Sequence, residues 1–250
     1  MKASIWPSKL YTLVAVLSLV ILWALAAVVV GAEILLPSPW TVLKDLVQLL
    51  PSRDFLQAVL HTVSRCLAGF SIAFLAALLL GIPAGLWPPL HYLLNPLVIT
   101  IKSTPSMSII LLALIWLDTE RATILIGLLV IFPILYANIT TGIQNVDSKL
   151  VEMSKIYHVK KSRMVRELYL PSMLPHLVSA SSTALGLNLK VIITAEVFSQ
   201  PKISMGTSLQ LEKVYLNTAG VFAWTLAAIL ISAIFDYALG HIKKRIEKGT

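Results

Sequence analysis

The stretch LYTLVAVLSLVILWALAAVVV runs from Leu10 to Val30 without a single charged residue. A helix rises about 1.5 Å per residue, so roughly 20 apolar residues cross a hydrocarbon core about 30 Å thick. Val30-Gly31-Ala32 offers small residues for signal-peptide cleavage. The apolar run is longer than the roughly 7–15 residues of a signal peptide, however, so we predict a retained membrane span.

Five further apolar runs follow at Val63–Leu86, Pro105–Leu117, Ala122–Ile143, Leu174–Val197 and Val221–Leu239. Pro105–Leu117 is short for a span unless the helix begins near Leu97. The chain has 250 residues, of which 57% are hydrophobic and 13% charged, and its mean hydropathy is +0.84. Because hydrocarbon offers no partners for backbone polar groups, every span is predicted to be helical. The expected fold is an all-α polytopic membrane protein with six transmembrane helices, forming one domain over residues 1–250.

The basic residues predict an orientation. A net charge of +8 suits either nucleic acid binding or basic cytoplasmic loops, and in a chain this apolar we favour the loops and expect no nucleic acid partner. With the N-terminus inside, the cytoplasmic side holds Lys2, Lys9, Lys149, Lys155, Lys160, Lys161, Arg163, Arg166, Lys243, Lys244, Arg245 and Lys248. The external side holds the smaller set Lys44, Arg53, Arg65, Arg121, Lys202 and Lys213. Both termini are therefore predicted to be cytoplasmic.

Two segments outside the spans are predicted to face the exterior. Thr41–Leu50 has apolar residues at helical spacing, which indicates a helix lying on the membrane surface. Residues 198–219 are predicted to form an external loop. The single cysteine, Cys66, is expected to be a packing residue, and the five histidines lack metal-ligand spacing, so no metal site or cofactor is predicted.

The most charged segment lies between the fourth and fifth spans, at residues 147–171. Asp147 or Ser148 can cap a helix that starts at Lys149, and a second short helix is predicted from about Ser162. Pro171 and Pro175 fall at the entry to the next span, where proline is tolerated. The segment is therefore predicted to be a helical hairpin, apolar on one side and basic on the other.

Within this hairpin, Glu152-Met153-Ser154, His158 and Leu168-Tyr169-Leu170-Pro171 have the spacing of the EAA loop. The segment resembles this loop of permease subunits in ATP-binding-cassette (ABC) importers, with Met153 and Ser154 in place of Ala-Ala and His158 in place of Gly. Glycine there would permit a turn with positive φ, which histidine also adopts more readily than most residues.

Further matches in the same order resemble the nitrate, sulfonate, taurine and pyrimidine-precursor branch of these permeases. They are Leu36-Pro37-Ser38-Pro39, Ser103-Thr104-Pro105, Leu114-Ile115-Trp116, Phe132-Pro133-Ile134-Leu135, Ala195-Glu196 and Asp236. The resemblance implies a homodimeric permease in the plasma (inner) membrane, working with two copies of a cytoplasmic ABC ATPase and an extracytoplasmic solute-binding protein. It implies import of a small polar or anionic solute.

The resemblance also assigns roles in the loop. The ATPase would dock against an apolar face centred on Ile156 and Tyr157, with Glu152 making a polar contact. The predicted coupling set is Glu152, Met153, Ser154, Ile156, Tyr157, His158, Leu168, Leu170 and Pro171. The chain has no G-x-x-x-x-G-K-[ST] phosphate loop, so it is not expected to be an enzyme, and ATP hydrolysis is assigned to the partner.

The fifth span is unusually polar, and two interpretations of its polar residues stay open. Ser182, Asn188, Lys190 and Glu196 could line a translocation path, where Lys190 would favour an anion. Alternatively, Lys190 snorkels to the headgroups and the small polar residues bond between helices. Asp236 is expected to pair with Lys243, Lys244 or a neighbouring helix. The alternative function is a self-sufficient secondary transporter or channel, for which no inverted repeat or coupling-ion site is found.

Overall fold

The computed structural model describes the backbone of Ser8–Glu247 and the side chains of residues 10–241. The described part of the chain leaves out Lys2 and Lys248 and the side chains of Lys9, Lys243, Lys244 and Arg245. The predicted pairing of Asp236 with Lys243 or Lys244 therefore lies outside the described residues. Every regular element in the described range is helical, which confirms the all-α prediction. The helices are α1 Ser8–Val30, α2 Pro39–Leu49, α3 Arg53–Leu86, α4 Pro88–Ser103, α5 Ser106–Trp116, α6 Thr119–Gln144, α7 Ser148–Ile156, α8 Lys161–Met164, α9 Leu170–Ser199, α10 Met205–Val214 and α11 Thr218–Glu247.

The predicted number of membrane spans agrees with these helices. Within the described residues, five helical segments are long and apolar enough to cross a membrane, and α4 with α5 forms a sixth candidate, a pair bent by 96°. The chain is therefore a multi-pass membrane protein. The helices extend beyond most of the predicted spans, and α3 begins ten residues before Val63, at Arg53.

The predicted third span is corrected by the bend between α4 and α5. Helix α4 ends at Ser103, Thr104 is extended with ψ 129°, and α5 starts after Pro105. Proline has no N–H to continue a helix, and its ring disfavours helical backbone at the residue before it. Ser103-Thr104-Pro105 therefore breaks this apolar region into two helices instead of one straight crossing.

The chain folds as two compact units. The first contains the described residues up to Leu56 together with Ser208–Ala227. Within it, the Trp23 ring stacks on Phe222 with 5.4 Å between centroids, and Trp23 Nε1 donates to Pro37 O over 3.1 Å. The predicted helix at Thr41–Leu50 is present as α2. Its first turn is capped by Ser38, whose Oγ accepts from Thr41 N at 3.1 Å.

The second unit comprises Gln57–Thr207 and the chain from Ala228 onward. Its core lies where α6 packs along α9, with Ile131, Leu135 and Ile139 of α6 fully buried. Gly127 of α6 permits this approach, because a Cβ there would lie 2.7 Å from Asn188 Oδ1 of α9. Cys66 is fully buried against Leu185, Leu189 and Ile192, which confirms it as a packing residue.

The segment predicted as an external loop, 198–219, contains the helix α10. Ser204 begins it, since its Oγ accepts a hydrogen bond from Thr207 N at 3.0 Å. Gln200, just after α9, has φ 46° in the left-handed region and so ends that helix sharply. The sequence carried a signal for α10 in Ser204 as a capping residue and in the later run LQLEKV at 209–214, but the low apolar content of the segment made it resemble a loop.

Candidate functional site

The charged segment between α6 and α9 begins with the short helix α7. Asp147 is its N-cap, and its Oδ1 accepts from Lys149 N at 2.9 Å. A carboxylate at this position satisfies a backbone donor that the helix leaves unpaired. The sequence allowed either Asp147 or Ser148 as the cap, and the structure selects Asp147.

One side of α7 presents apolar side chains to the surroundings. Ile156 is 74% exposed and Tyr157 is 75% exposed, while Leu150 and Met153 are also largely accessible. At 3.6 residues per turn these four positions share one face. Ser154 is half-buried and donates to Leu150 O at 2.8 Å, and Glu152 is exposed. This exposed apolar face of α7, Leu150, Met153, Ile156 and Tyr157, lacks a partner within the described residues.

The turn after α7 is built around His158. Its φ is 52°, so histidine here adopts the left-handed conformation that glycine would permit at this position of the EAA loop. His158 N donates to Lys155 O at 3.0 Å, and Val159 N donates to Ser154 O at 2.9 Å, so the backbone bonds close the end of α7. A residue with a Cβ pays a steric penalty in this conformation of roughly 1–2 kcal/mol.

Replacing His158 tests that penalty. We expect His158→Gly to be at least as stable as the wild type, since glycine adopts positive φ without a Cβ clash. His158→Val should lower the melting temperature, because a β-branched residue is strongly disfavoured there. Both are measured by thermal unfolding of the detergent-purified chain. A valine variant with the melting temperature of the wild type would show that the turn does not need this conformation.

The second arm of the predicted hairpin is corrected. It is not a separate short helix, because α8 continues through a π-helical turn at Val165–Tyr169 into α9. In that turn Leu170 N donates to Val165 O. Pro171 follows immediately, and its nitrogen carries no hydrogen for an ordinary helical hydrogen bond. The wider π turn lets the helix continue past this missing bond. Leu168, Leu170 and Pro171 are half-buried along this stretch.

A buried cluster of charges lies elsewhere in the same unit, centred on Arg65 of α3 and Glu196 of α9. Arg65 Nη1 donates to Glu196 Oε1 at 2.8 Å, and the side chains are 4% and 0% exposed. Glu196 also accepts from Thr62 Oγ1 at 2.8 Å and from Gly206 N at 3.1 Å. A buried carboxylate is tolerated when it is paired and hydrogen-bonded in this way.

The same guanidinium reaches a second acid, Glu120 in the first turn of α6. Arg65 Nε donates to Glu120 Oε2 and Arg65 Nη2 donates to Glu120 Oε1, both at 2.6 Å. Nη2 also donates to Ile203 O at 3.2 Å. This fork uses the planar geometry of arginine. Thr62 Oγ1 in turn accepts from Met205 N at 3.0 Å. The cluster therefore ties α3, α6, α9 and the start of α10 together.

Arg65 was assigned to the external basic set as one of its loop charges, and the structure shows that its side chain is buried within α3. Thr62 and Glu120 were not predicted as site residues at all. The sequence held a usable signal for this pair, because ionisable residues within membrane spans usually pair with one another. Arg65 and Glu196 carry opposite charges and lie in two different predicted spans.

The four polar residues proposed for a translocation path have different surroundings. Asn188 is buried and its Nδ2 donates to Cys66 O at 2.8 Å, whereas Ser182 Oγ donates to Asp236 Oδ1 at 2.8 Å. Asp236 thus bonds a neighbouring helix, as expected. Lys190 is exposed on α9, and Glu196 belongs to the charge cluster. The structure does not bring the four together, and their role in a path stays a prediction.

Among the described residues, no three His, Cys, Asp or Glu side chains are grouped so that they could hold a metal ion. The two candidate features of the chain are the exposed face of α7 and the Arg65 cluster.

Comparison with known proteins identifies the family. Residues 67–248 match the family described as the binding-protein-dependent transport system inner membrane component, which is most of the chain and includes α7 and its turn. The chain belongs to this family. It is an inner-membrane permease component of the ABC importer type, which confirms the resemblance seen in the EAA-like loop.

Relatives of this permease carry names that agree with the branch indicated by the sequence. It is 32% identical to the putative aliphatic sulfonates transport permease SsuC of Escherichia coli, over 72% of this chain and 70% of that protein. It is 23% identical to the taurine transport system permease TauC of the same organism, over 96% and 91% of the two chains. Over 58% of this chain and 52% of that protein, it is 25% identical to the bicarbonate transport system permease CmpB of Synechococcus elongatus.

A solved structure shares the permease fold. A chain of the inward-facing MetNI methionine ABC transporter superposes with a TM-score of 0.63 at 15% identity, covering 78% of this chain and 99% of that chain. At this identity the likeness supports the fold alone.

Proposed function

We propose that residues 1–250 act as one permease domain of an ATP-driven importer and that α7 transmits motion from a cytoplasmic ATPase. The ATPase would dock on the exposed apolar face of α7. Both termini and this segment would lie in the cytoplasm, as the distribution of basic residues predicts.

The observation that carries this proposal is the exposed apolar face of α7, which no other described residue covers. Ile156 and Tyr157 are about three-quarters exposed at the end of α7, whose start is capped by Asp147. Exposed aromatic and aliphatic anchors on a rigid element are typical of protein interfaces. Because the helix is short and held at both ends, a force applied to its face would reach α6 and α9.

The solute we propose is a small polar or anionic molecule of the sulfonate, nitrate, taurine or pyrimidine-precursor type. Relatives named for sulfonates, taurine and bicarbonate support this class, since these solutes share an oxyanion group. An extracytoplasmic solute-binding protein would deliver it. Two copies of this chain and two of the ATPase would form the complete transporter.

Co-purification tests the proposal. A tagged chain extracted from native membranes should bring down a polypeptide with a phosphate-loop ATPase motif. The extracted complex should hydrolyse ATP, and the hydrolysis should rise when the solute and its binding protein are added. Recovery of the chain without any ATPase, together with solute uptake by the chain alone, would instead support the self-sufficient transporter or channel.

A further inference from the structure

A second feature of the charged segment lies on the side of α7 opposite to its exposed apolar face. A cavity of about 630 Å³ opens there, lined in part by Leu86, Lys155, His158, Lys161 and Met164. Val151 and Lys155 line it from α7, four residues apart and so on one face of the helix. At about 100° per residue this face points away from Met153 and Tyr157, so an ATPase on the exposed face would leave the cavity free.

The charges at this cavity are cationic and lack acidic partners. Lys155 and Lys161 are exposed, and neither makes an ion pair within the described residues. Glu152 of α7 lines a smaller adjoining cavity of about 290 Å³, which shares Leu86, Val151 and Lys155 with the larger one. Two lysines that make no ion pair within the described residues therefore line a cavity whose own wall holds no carboxylate, which favours an anionic ligand.

Apart from His158 and Tyr169, the remaining wall is aliphatic and lies beside two candidate membrane spans. Leu86 is the last residue of α3, and Met164 and Val165 stand near the start of the helical segment Lys161–Ser199. Val159 adds a further apolar side chain. A free inorganic anion would gain nothing from these groups, whereas a phospholipid combines a phosphate with acyl chains.

The geometry points to a binding site for the headgroup of an anionic phospholipid between α7, the His158 turn and the end of α3. Lys155 and Lys161 would contact the phosphate, and Leu86, Val159 and Met164 would contact the first part of the acyl chains. The assignment of this site to the cytoplasmic leaflet rests on the proposed function. Basic pockets between membrane helices on that side commonly hold such headgroups.

The test uses the purified complex, stripped of loosely bound lipid and titrated with phosphatidylglycerol or phosphatidylcholine under native mass spectrometry. The wild type should retain phosphatidylglycerol at a concentration on the order of tenfold lower than phosphatidylcholine. The double variant Lys155→Gln with Lys161→Gln should lose that preference. The matched control, Lys149→Gln with Lys160→Gln, removes the same charge from exposed lysines that do not line the cavity and should keep it.

Three results would overturn the site. One is an unchanged phosphatidylglycerol preference in the Lys155/Lys161 variant, and another is its equal loss in the Lys149/Lys160 control. The third is displacement of the lipid by millimolar inorganic phosphate, which would mean a simple anion site. Because binding is read without ATP or solute, a lipid-binding chain that fails to transport contradicts only the proposed function. A transporting chain without the lipid preference contradicts only this site.

Discussion

Replacing Tyr157 by serine should greatly weaken association of the permease with its ATPase while leaving the permease folded. Tyr157 is 75% exposed, so its removal forfeits little burial within the chain. Aromatic anchors at the centre of an interface commonly contribute about 2–4 kcal/mol, so the loss should exceed roughly tenfold in affinity. Adding Ile156→Ser should make co-purification undetectable, with solute uptake lost in parallel.

The measurement compares ATPase recovery and uptake with the melting temperature of each purified variant. Tyr215→Ser is a matched control, because Tyr215 is also 75% exposed but lies between α10 and α11, in the segment predicted to be external. It should recover the wild-type amount of ATPase. Full ATPase recovery with the Ile156/Tyr157 double variant would contradict docking on this face of α7.

Breaking the Arg65–Glu196 pair from one side should strongly destabilise the chain. Arg65→Met leaves the Glu196 carboxylate, 0% exposed, without its cation, and removal of one partner from a buried pair costs about 3–5 kcal/mol. The melting temperature and the yield of folded protein should both fall sharply. Glu120 is 55% exposed and can be solvated, so losing its contact to Arg65 should matter less.

The double variant Arg65→Met with Glu196→Gln should recover a large part of that loss. Glutamine is neutral, and its carbonyl oxygen can still accept from Thr62 Oγ1 or Gly206 N. Arg121→Gln is the matched control, since the neighbouring pair of Arg121 with Asp118 is exposed and should contribute almost nothing. Melting temperatures of the wild type, Arg65→Met, Glu196→Gln and the double variant complete the cycle that gives the coupling between Arg65 and Glu196. A double variant no more stable than Arg65→Met would show that the charge balance of this pair is not what stabilises the cluster.

The membrane fold was predictable because it follows from long uncharged runs such as Leu10–Val30. The charged segment was also largely predictable, since Asp147, His158 and Pro171 each act on the backbone nearest to them. Local rules of capping, positive φ and proline geometry do not depend on distant residues. The same rules accounted for the break at Pro105 once the structure showed it.

The charge cluster was harder to predict because it joins residues far apart in the chain. Arg65 and Glu196 meet only when α3 packs beside α9, and nothing local to either residue specifies the other. The prediction of a separate short helix from about Ser162 was wrong for a different reason. A helix does begin there, at Lys161, but it is not separate from the next span, because a π turn with no sequence signature of its own joins it to α9.

Uptake by reconstituted proteoliposomes tests the central claim most directly. Vesicles containing this chain and its co-purified ATPase, given ATP on the ATPase side and binding protein on the other, are supplied with labelled taurine, an alkanesulfonate, nitrate or bicarbonate. Uptake of at least one solute that requires ATP hydrolysis, the binding protein and an intact Tyr157 is the predicted result. Uptake by vesicles holding this chain alone, without ATP or ATPase, would contradict it.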